Sequence, residues 1–436
     1  MTLNYSYRVG GSLAWNDPSY VTRVADEQLY NAIQQGLFSK VLGPRQVGKS
    51  SLRIRTAHRL QQEGARCASV HATQLGLKVN QEKYSSNPSG WVRQLISLIW
   101  DSLYPTEYQG LLQWLEETCE LMPAARLDAF TQSILLQVDQ LRVDQLRVEQ
   151  QGVGADEKQG IAASKTASPK TASPKTVIFI DEIDYLLAFP TVADTLFRWI
   201  AHCSKATPHL TFVILGTAIA SDVDCYLNHV DRALASNLLQ RSCWVWLENF
   251  QLGETQALYR GFQGIVENPM NVLQAIFCWT NGQPFLTQKL CSLVFNFLVD
   301  LGEDQAKTLR LSMKALGRWV SHMVDSEIVD HWREKDDPVH LRAIGDRITQ
   351  SPNCTELIEL YQCIAIGTPV VTDGSRLQAE LVMSGLVTVC DQQLQFNNEI
   401  YRHVFDPLLV DNLCVCSTQS ASSVANSHPS LKLVCT

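Results

Sequence analysis

Gly43-Pro44-Arg45-Gln46-Val47-Gly48-Lys49-Ser50 interrupts an apolar run, Phe38 to Leu42, and gives way to Ser51-Leu52-Arg53-Ile54. A glycine, four residues and then Gly-Lys-Ser, set between a predicted strand and a predicted helix, is the pattern of a phosphate-binding loop. Backbone N–H groups converge on phosphate oxygens only where glycine permits tight, partly left-handed geometry. The helix that follows points its positive dipole end at the anion. In this pattern Lys49 brings a mobile charge to the β- and γ-phosphates, and the Ser50 hydroxyl is placed to ligate a Mg²⁺ ion carried by the nucleotide. Ser51 continues the motif, so the candidate nucleotide contacts run from Gly43 to Ser51.

Upstream, residues 1–36 begin with a polar, turn-rich lead, followed by Leu29, Tyr30 and Ile33 at helical spacing. Downstream, the spacing predicts a helix from about Ser50 to Gln62, ended by Gly64, and a strand around Ala65–Ala72. Strand, loop, helix and strand make one βαβ unit, the seed of a parallel sheet with helices on both faces. Residues 90–135 carry apolar residues at helical spacing and predict two or three amphipathic helices.

Between 136 and 176 stand three near-copies of one pentapeptide, beginning at Leu136, Leu141 and Leu146, and a repeated Lys-Thr-Ala-Ser-Pro. A five-residue period lines no single face of a helix or a strand, so the segment is expected to be a disordered surface insertion. Beyond it, Thr176-Val177-Ile178-Phe179-Ile180 is a continuous apolar run, the mark of a strand buried on both faces. It ends in Asp181-Glu182-Ile183-Asp184. Carboxylates at the carboxyl end of a central strand sit where ligands bind in open α/β sheets. Asp181 would hold the Mg²⁺ hydration shell, Glu182 would polarise the attacking water, and Asp184 is the next candidate base. A second buried strand, Leu210–Gly216, ends at Thr217, placed either to touch the γ-phosphate or to cap the next helix.

Composition narrows the class. A chain of 436 residues suggests two or three domains, and a net charge of −8 argues against general affinity for nucleic acid or anionic membranes. Thirteen scattered cysteines, mostly inside apolar runs, suit a reducing compartment. With no signal-peptide core and no apolar run of membrane-spanning length, the expectation is a soluble cytoplasmic protein.

The chain resembles the cyanobacterial-type AAA-like ATPases, grouped with the signal-transduction ATPases with numerous domains (STAND) in the AAA+ fold. The resemblance rests on Tyr20-Val21-Thr22-Arg23, the loop from Arg45 to Leu52, Ile180-Asp181-Glu182-Ile183-Asp184, and Asn281-Gly282-Gln283-Pro284-Phe285-Leu286-Thr287-Gln288. It continues through His331-Trp332, Ser384-Gly385-Leu386-Val387 and Asn398-Glu399-Ile400-Tyr401. It implies that Tyr20, Val21 and Arg23 lie near the adenine of bound ATP and that Pro284 opens a helical lid over the nucleotide. It also implies a winged-helix domain acting as an intramolecular brace. The expected organisation is an adenine-side segment at 1–36, an ATPase core at 37–250 and a helical lid at 251–335. A winged-helix-like domain at 336–410 and a flexible tail at 411–436 complete it. Many relatives continue into repeat sensor domains, whereas this chain stops at 436, so any sensor is expected to be a separate partner or absent.

The expected function is an ATP-binding P-loop ATPase of low turnover, working as a nucleotide-dependent signalling or assembly switch, with ATP or ADP and Mg²⁺ as ligands. Catalysis would rest on Glu182, Lys49 and Thr217, and the partner would be a second copy of the chain or an unidentified protein. The alternative is a DNA-associated AAA+ ATPase whose winged helix binds duplex DNA.

Overall fold

Strands β1 (Phe38–Leu42), β3 (Thr176–Asp181) and β4 (Leu210–Gly216) bury every side chain, as expected of parallel strands covered on both faces. With β2 (Arg66–His71) and β5 (Ser242–Trp244) they form a sheet in the order β2-β3-β4-β1-β5, parallel throughout. The computed structural model describes residues 5–77, 90–104, 108–132, 175–207, 209–229, 232–300 and 313–405. The insertion expected at 136–176, apart from Lys175 and Thr176, and the tail at 411–436 lie outside the described residues.

Contacts divide the chain into two units, one of Val24–Leu42 and Leu52–Trp246, the other of Met1–Arg23, Gly43–Ser51 and Leu247–Thr436. In the sheet unit, the register pairs Leu42 with Gly216 and His71 with Asp181, so the strands end along one carboxyl edge. The chain leaves β1, crosses to β2, returns through β3 and β4, and adds β5 on the far side of β1. That reversal beside β1 is the switch point at which open α/β sheets take ligands. Helices α1 (Val24–Gln34), α2 (Lys49–Gln62), α3 (Gly90–Leu103), α4 (Tyr108–Glu117) and α5 (Pro123–Phe130) follow the expected pattern. After β3 come a short α6 (Ile183–Leu187) and a long α7 (Pro190–Ala206); α8 (Ala220–His229) and α9 (Arg232–Gln240) lead to β5. The edge strand β5 has only three residues, too few for a periodic signal, and the sequence did not announce it. Inside β1, Lys40 is buried and places Nζ 2.9 Å from Asp224 Oδ1, so its charge is paired within the sheet unit.

The second unit is helical. It holds α10 (Gln256–Phe262), α11 (Pro269–Thr280), α12 (Pro284–Asp300) and α13 (Met313–Val324). After these come a short α14 (Trp332–Lys335), then α15 (Leu341–Thr349), α16 (Cys354–Ala365) and α17 (Arg376–Ser384). An antiparallel hairpin, β6 (Val387–Cys390) and β7 (Gln393–Phe396), precedes α18 (Glu399–Val404). Its two-residue turn, Asp391-Gln392, has φ of 49° and 60°, the paired left-handed geometry that matches the twist of the flanking strands. One apolar core runs through the unit from Tyr7 and Phe250 to Tyr401 and Phe405. Among the described residues no helix is long and apolar enough to cross a membrane.

Candidate functional site

The loop between β1 and α2 has the backbone that its glycines foretell. Gly48 sits at φ 96° and Gln46 at φ 58°, two left-handed positions of the kind that lets backbone N–H groups converge on an anion. A Cβ at Gly48 would lie 2.8 Å from Arg23 Nη2, so the position also demands glycine for space. Lys49 Nζ donates to the carbonyls of Gly43 (2.8 Å) and Pro44 (2.5 Å), which folds the ammonium over the loop. The first turn of α2 carries no acidic residue, so nothing there opposes an anion. Arg45 is exposed, whereas Pro44 and Val47 are buried and anchor the loop.

Arg23 is buried and donates through Nη1 to the carbonyl of Val47 at 2.9 Å and that of Glu248 at 3.1 Å. Its guanidinium also lies 5.3 Å from the centre of the Phe250 ring. It therefore supports the loop from behind through that donor. The Ser51 hydroxyl accepts the N–H of Leu13 at 3.0 Å, tying the N-terminal lead to the start of α2. These groups, with Tyr20, Val21 and Pro284, border one cleft enclosing about 540 Å³, solvent-connected space included. The turn beside Pro284 is shaped by backbone proximity: Gly282, at φ 70°, would place a Cβ 2.0 Å from the Phe250 carbonyl oxygen. The Gln283 side chain then accepts the N–H of Leu286 at 2.7 Å and caps α12.

The acidic group lies in the sheet unit, at the carboxyl edge. Asp181 is buried, accepts the Glu182 N–H through Oδ1 at 3.0 Å, and places Oδ2 3.5 Å from Arg53 Nε. Burial holds the Arg53 guanidinium below its ordinary pKa, with Asp181 opposing. Glu182 is exposed and left-handed, with φ 61°, a conformation uncommon for a residue with a side chain and frequent at functional sites. Its Oε2 accepts from the Thr73 hydroxyl at 2.8 Å. Asp184 Oδ1 accepts the Thr217 N–H at 2.8 Å, fixing the end of β4. Since α8 begins at Ala220, Thr217 is not its N-cap.

Thus the structure brings the loop, Tyr20, Val21, Arg23 and Pro284 round one cleft, and Asp181, Glu182, Asp184 and Thr217 to one sheet edge. The sequence reading missed the support that Arg23 gives to Val47, the Arg53–Asp181 pair and the Thr73–Glu182 bond, none of which has a spacing signature. Glycine geometry, Lys49 and an acid-free helix start fit a nucleotide triphosphate. Among the described residues no three His, Cys, Asp or Glu side chains cluster as a metal cage. The Ser50 hydroxyl and the Asp181 carboxylate are each oxygen donors of the kind a hard divalent cation takes.

No family model matches the chain. It is 32% identical over 409 residues to an uncharacterized WD repeat-containing protein of Synechocystis sp. (strain ATCC 27184 / PCC 6803 / Kazusa); the match takes in 92% of this chain and 30% of that relative. The chain thus spans about a third of the relative's length. Among solved structures it is similar to the Walker-type ATPase of Pyrococcus abyssi, at 13% identity and a TM-score of 0.51, over 91% of this chain and 99% of that one. Cdc6p of Pyrobaculum aerophilum, 12% identical over 94% of this chain and 100% of its own, has a TM-score of 0.37. The five-stranded parallel sheet, its strand order and its phosphate loop are those of a P-loop, AAA+-like ATPase fold.

Proposed function

We propose that the chain is an ATP-binding P-loop ATPase of slow turnover that works as a nucleotide-dependent signalling or assembly switch, of the STAND type that its motifs resemble. One observation carries this reading: the phosphate loop is in contact with the C-terminal segment of its own unit. Gln46 Nε2 donates to the Val339 carbonyl at 3.2 Å, and a Cβ at Gly385, φ 91°, would lie 3.3 Å from Pro44 Cβ. Three asparagines extend the connection. Asn249 Nδ2 donates to Asn397 Oδ1 (2.6 Å) and to the Asn281 carbonyl (2.9 Å), and Asn397 Nδ2 donates to the Gly385 carbonyl (2.8 Å). A loop that changes shape around a γ-phosphate would therefore pull on both the turn before α12 and the segment before β6.

In this reading the Mg²⁺-bound triphosphate supplies the electrophilic phosphorus and its charge. Lys49 would turn from the Gly43 and Pro44 carbonyls to the β- and γ-phosphates, and Ser50 and Asp181 would hold the cation. Glu182 takes the proton of the attacking water, and Thr217 contacts the γ-phosphate. Tyr20 and Val21 flank the adenine. Residues 251–335 serve as the lid and 336–410 as a winged-helix brace. The description of the Synechocystis relative names WD repeats, which build propellers; a propeller sensor is the partner this module suits. The test is light scattering after size exclusion, in ADP and in a non-hydrolysable ATP analogue. A change of mass or radius with the analogue alone is expected; identical profiles at saturation would reduce the protein to a nucleotide binder. A steeply salt-dependent affinity for duplex DNA would replace the switch with the DNA-associated reading.

A further inference from the structure

The cleft beside the phosphate loop contains one buried polar side chain that the loop does not use. Gln288, on α12, is only 6% exposed and lines the cleft with Leu13, Tyr20, Val21, Phe250 and Phe285. Its Nε2 donates to the Ser19 carbonyl at 3.0 Å and to the Ser19 hydroxyl at 3.3 Å. Ser19 itself does not move freely: its N–H and hydroxyl both donate to Asp17 Oδ1, at 2.9 and 2.7 Å. A carbonyl oxygen only accepts, so the amide nitrogen must face Ser19 and the orientation of the Gln288 amide is settled. Its other end, Oε1, is buried and has no hydrogen-bond partner among the described residues. A buried acceptor without a donor costs free energy, and native interiors seldom keep one without a use.

The surroundings say what would satisfy it. The cleft lining includes the aromatic and aliphatic side chains of Leu13, Tyr20, Val21, Phe250 and Phe285, the kind of wall that takes a flat heterocycle. The phosphate loop borders the same cleft through Gln46, Gly48 and Ser51. A nucleotide whose phosphates occupy that loop would share this cleft with Gln288 of α12.

We infer that Gln288 reads the base of the bound nucleotide, its Oε1 accepting a hydrogen bond from the exocyclic amino group of adenine. The inference rests on the proposal that this cleft takes ATP. Guanine presents a carbonyl oxygen where adenine presents the amino group, and two acceptors facing each other cannot pair. Inversion of the amide cannot rescue guanine, because it would set Oε1 against the Ser19 carbonyl. The cleft thus selects against the wrong base as well as for the right one.

Isothermal titration of the full chain tests this with four ligands: ATP, GTP, ADP and an ATP analogue lacking the exocyclic amino group. The native protein is expected to bind ATP at least about tenfold more tightly than either GTP or the deaminated analogue, the worth of one buried hydrogen bond. In Gln288→Leu, checked for folding by circular dichroism, the three triphosphates should bind alike. The ligand series on native protein stands even if that variant fails to fold. Equal affinity of native protein for ATP, GTP and the analogue, or an undiminished preference in folded Gln288→Leu, would overturn the assignment while leaving the nucleotide site in place. Failure of every nucleotide, ADP included, to bind would overturn the reading beneath it as well.

Discussion

Arg23 Nη1 donates to the carbonyl of Val47 at 2.9 Å, so a residue of the N-terminal lead holds the back of the phosphate loop. A charged donor buried against carbonyls in a low-dielectric setting is a strong tie, and Arg presents several N–H groups in a fixed fork. The resemblance placed Arg23 beside the nucleotide. The geometry adds a role in the shape of the loop.

Replacing Arg23 by Met keeps much of the volume and removes the donors. The Val47 and Glu248 carbonyls lose charge-assisted hydrogen bonds, worth about 1.5–3 kcal/mol apiece, and ATP affinity should fall together with stability. Urea unfolding monitored by circular dichroism, with titration of ATP into the folded variant, checks both. An unchanged unfolding midpoint would deny Arg23 its structural part.

Lys49→Ala should weaken ATP binding by about a hundredfold or more, the loss expected when one charge facing two phosphates is removed. The same change should spare the fold, because Lys49 is only half-buried. Titration calorimetry decides the matter. Native-like affinity would remove Lys49 from the site.

Glu182→Gln should keep ATP binding and lower turnover by at least about a hundredfold, the scale of general-base catalysis. Thr73→Val acts on the same carboxylate from the other side. Because the Thr73 hydroxyl bonds Glu182 Oε2, its removal frees the carboxylate for water and should raise turnover about two- to tenfold, in keeping with one modest hydrogen bond. Phosphate release assays separate the two variants, and a Thr73→Val enzyme slower than native would show that the bond positions Glu182 for catalysis instead.

His340 makes stability depend on pH. It is buried, its Nε2 lies 2.6 Å from Tyr401 Oη, and its ring centre is 4.5 Å from that of Phe285. Burial pushes its pKa down from 6.5 to about 3, with Asp336 opposing and Lys289 reinforcing the shift. Between those values the unfolded chain binds a proton that the folded chain refuses. The stabilisation is therefore complete above the unfolded value and is lost as pH falls below it, by up to ~1.4 kcal/mol per pH unit. Urea midpoints at pH 7 and pH 5 should separate more for native protein than for His340→Gln, and equal separations would assign the acid sensitivity elsewhere.

Much of the sheet unit was legible before any coordinates. The phosphate loop needs glycine at fixed spacing, and the strands at 176–180 and 210–216 are continuous apolar runs because both their faces are covered. The helix behind the loop and the acidic end of β3 stood within a residue or two of their expected places. Those features are local: each is encoded by the backbone demands and burial of neighbouring positions. The three-residue β5 carried no such signal, and a lysine inside β1 gave no sign that Asp224 would neutralise it.

What the sequence by itself determined is the phosphate-binding pattern and the strands that frame it, since these follow from glycine conformation and hydrophobic periodicity. Only the tertiary structure decided which polar side chains meet. Gln288 finds Ser19 across 269 positions, Arg23 finds Glu248 across 225, and Asn249 finds Asn397 across 148. A buried polar group must be paired, yet nothing in its own neighbourhood of the chain names the partner; that choice belongs to the packing of distant segments.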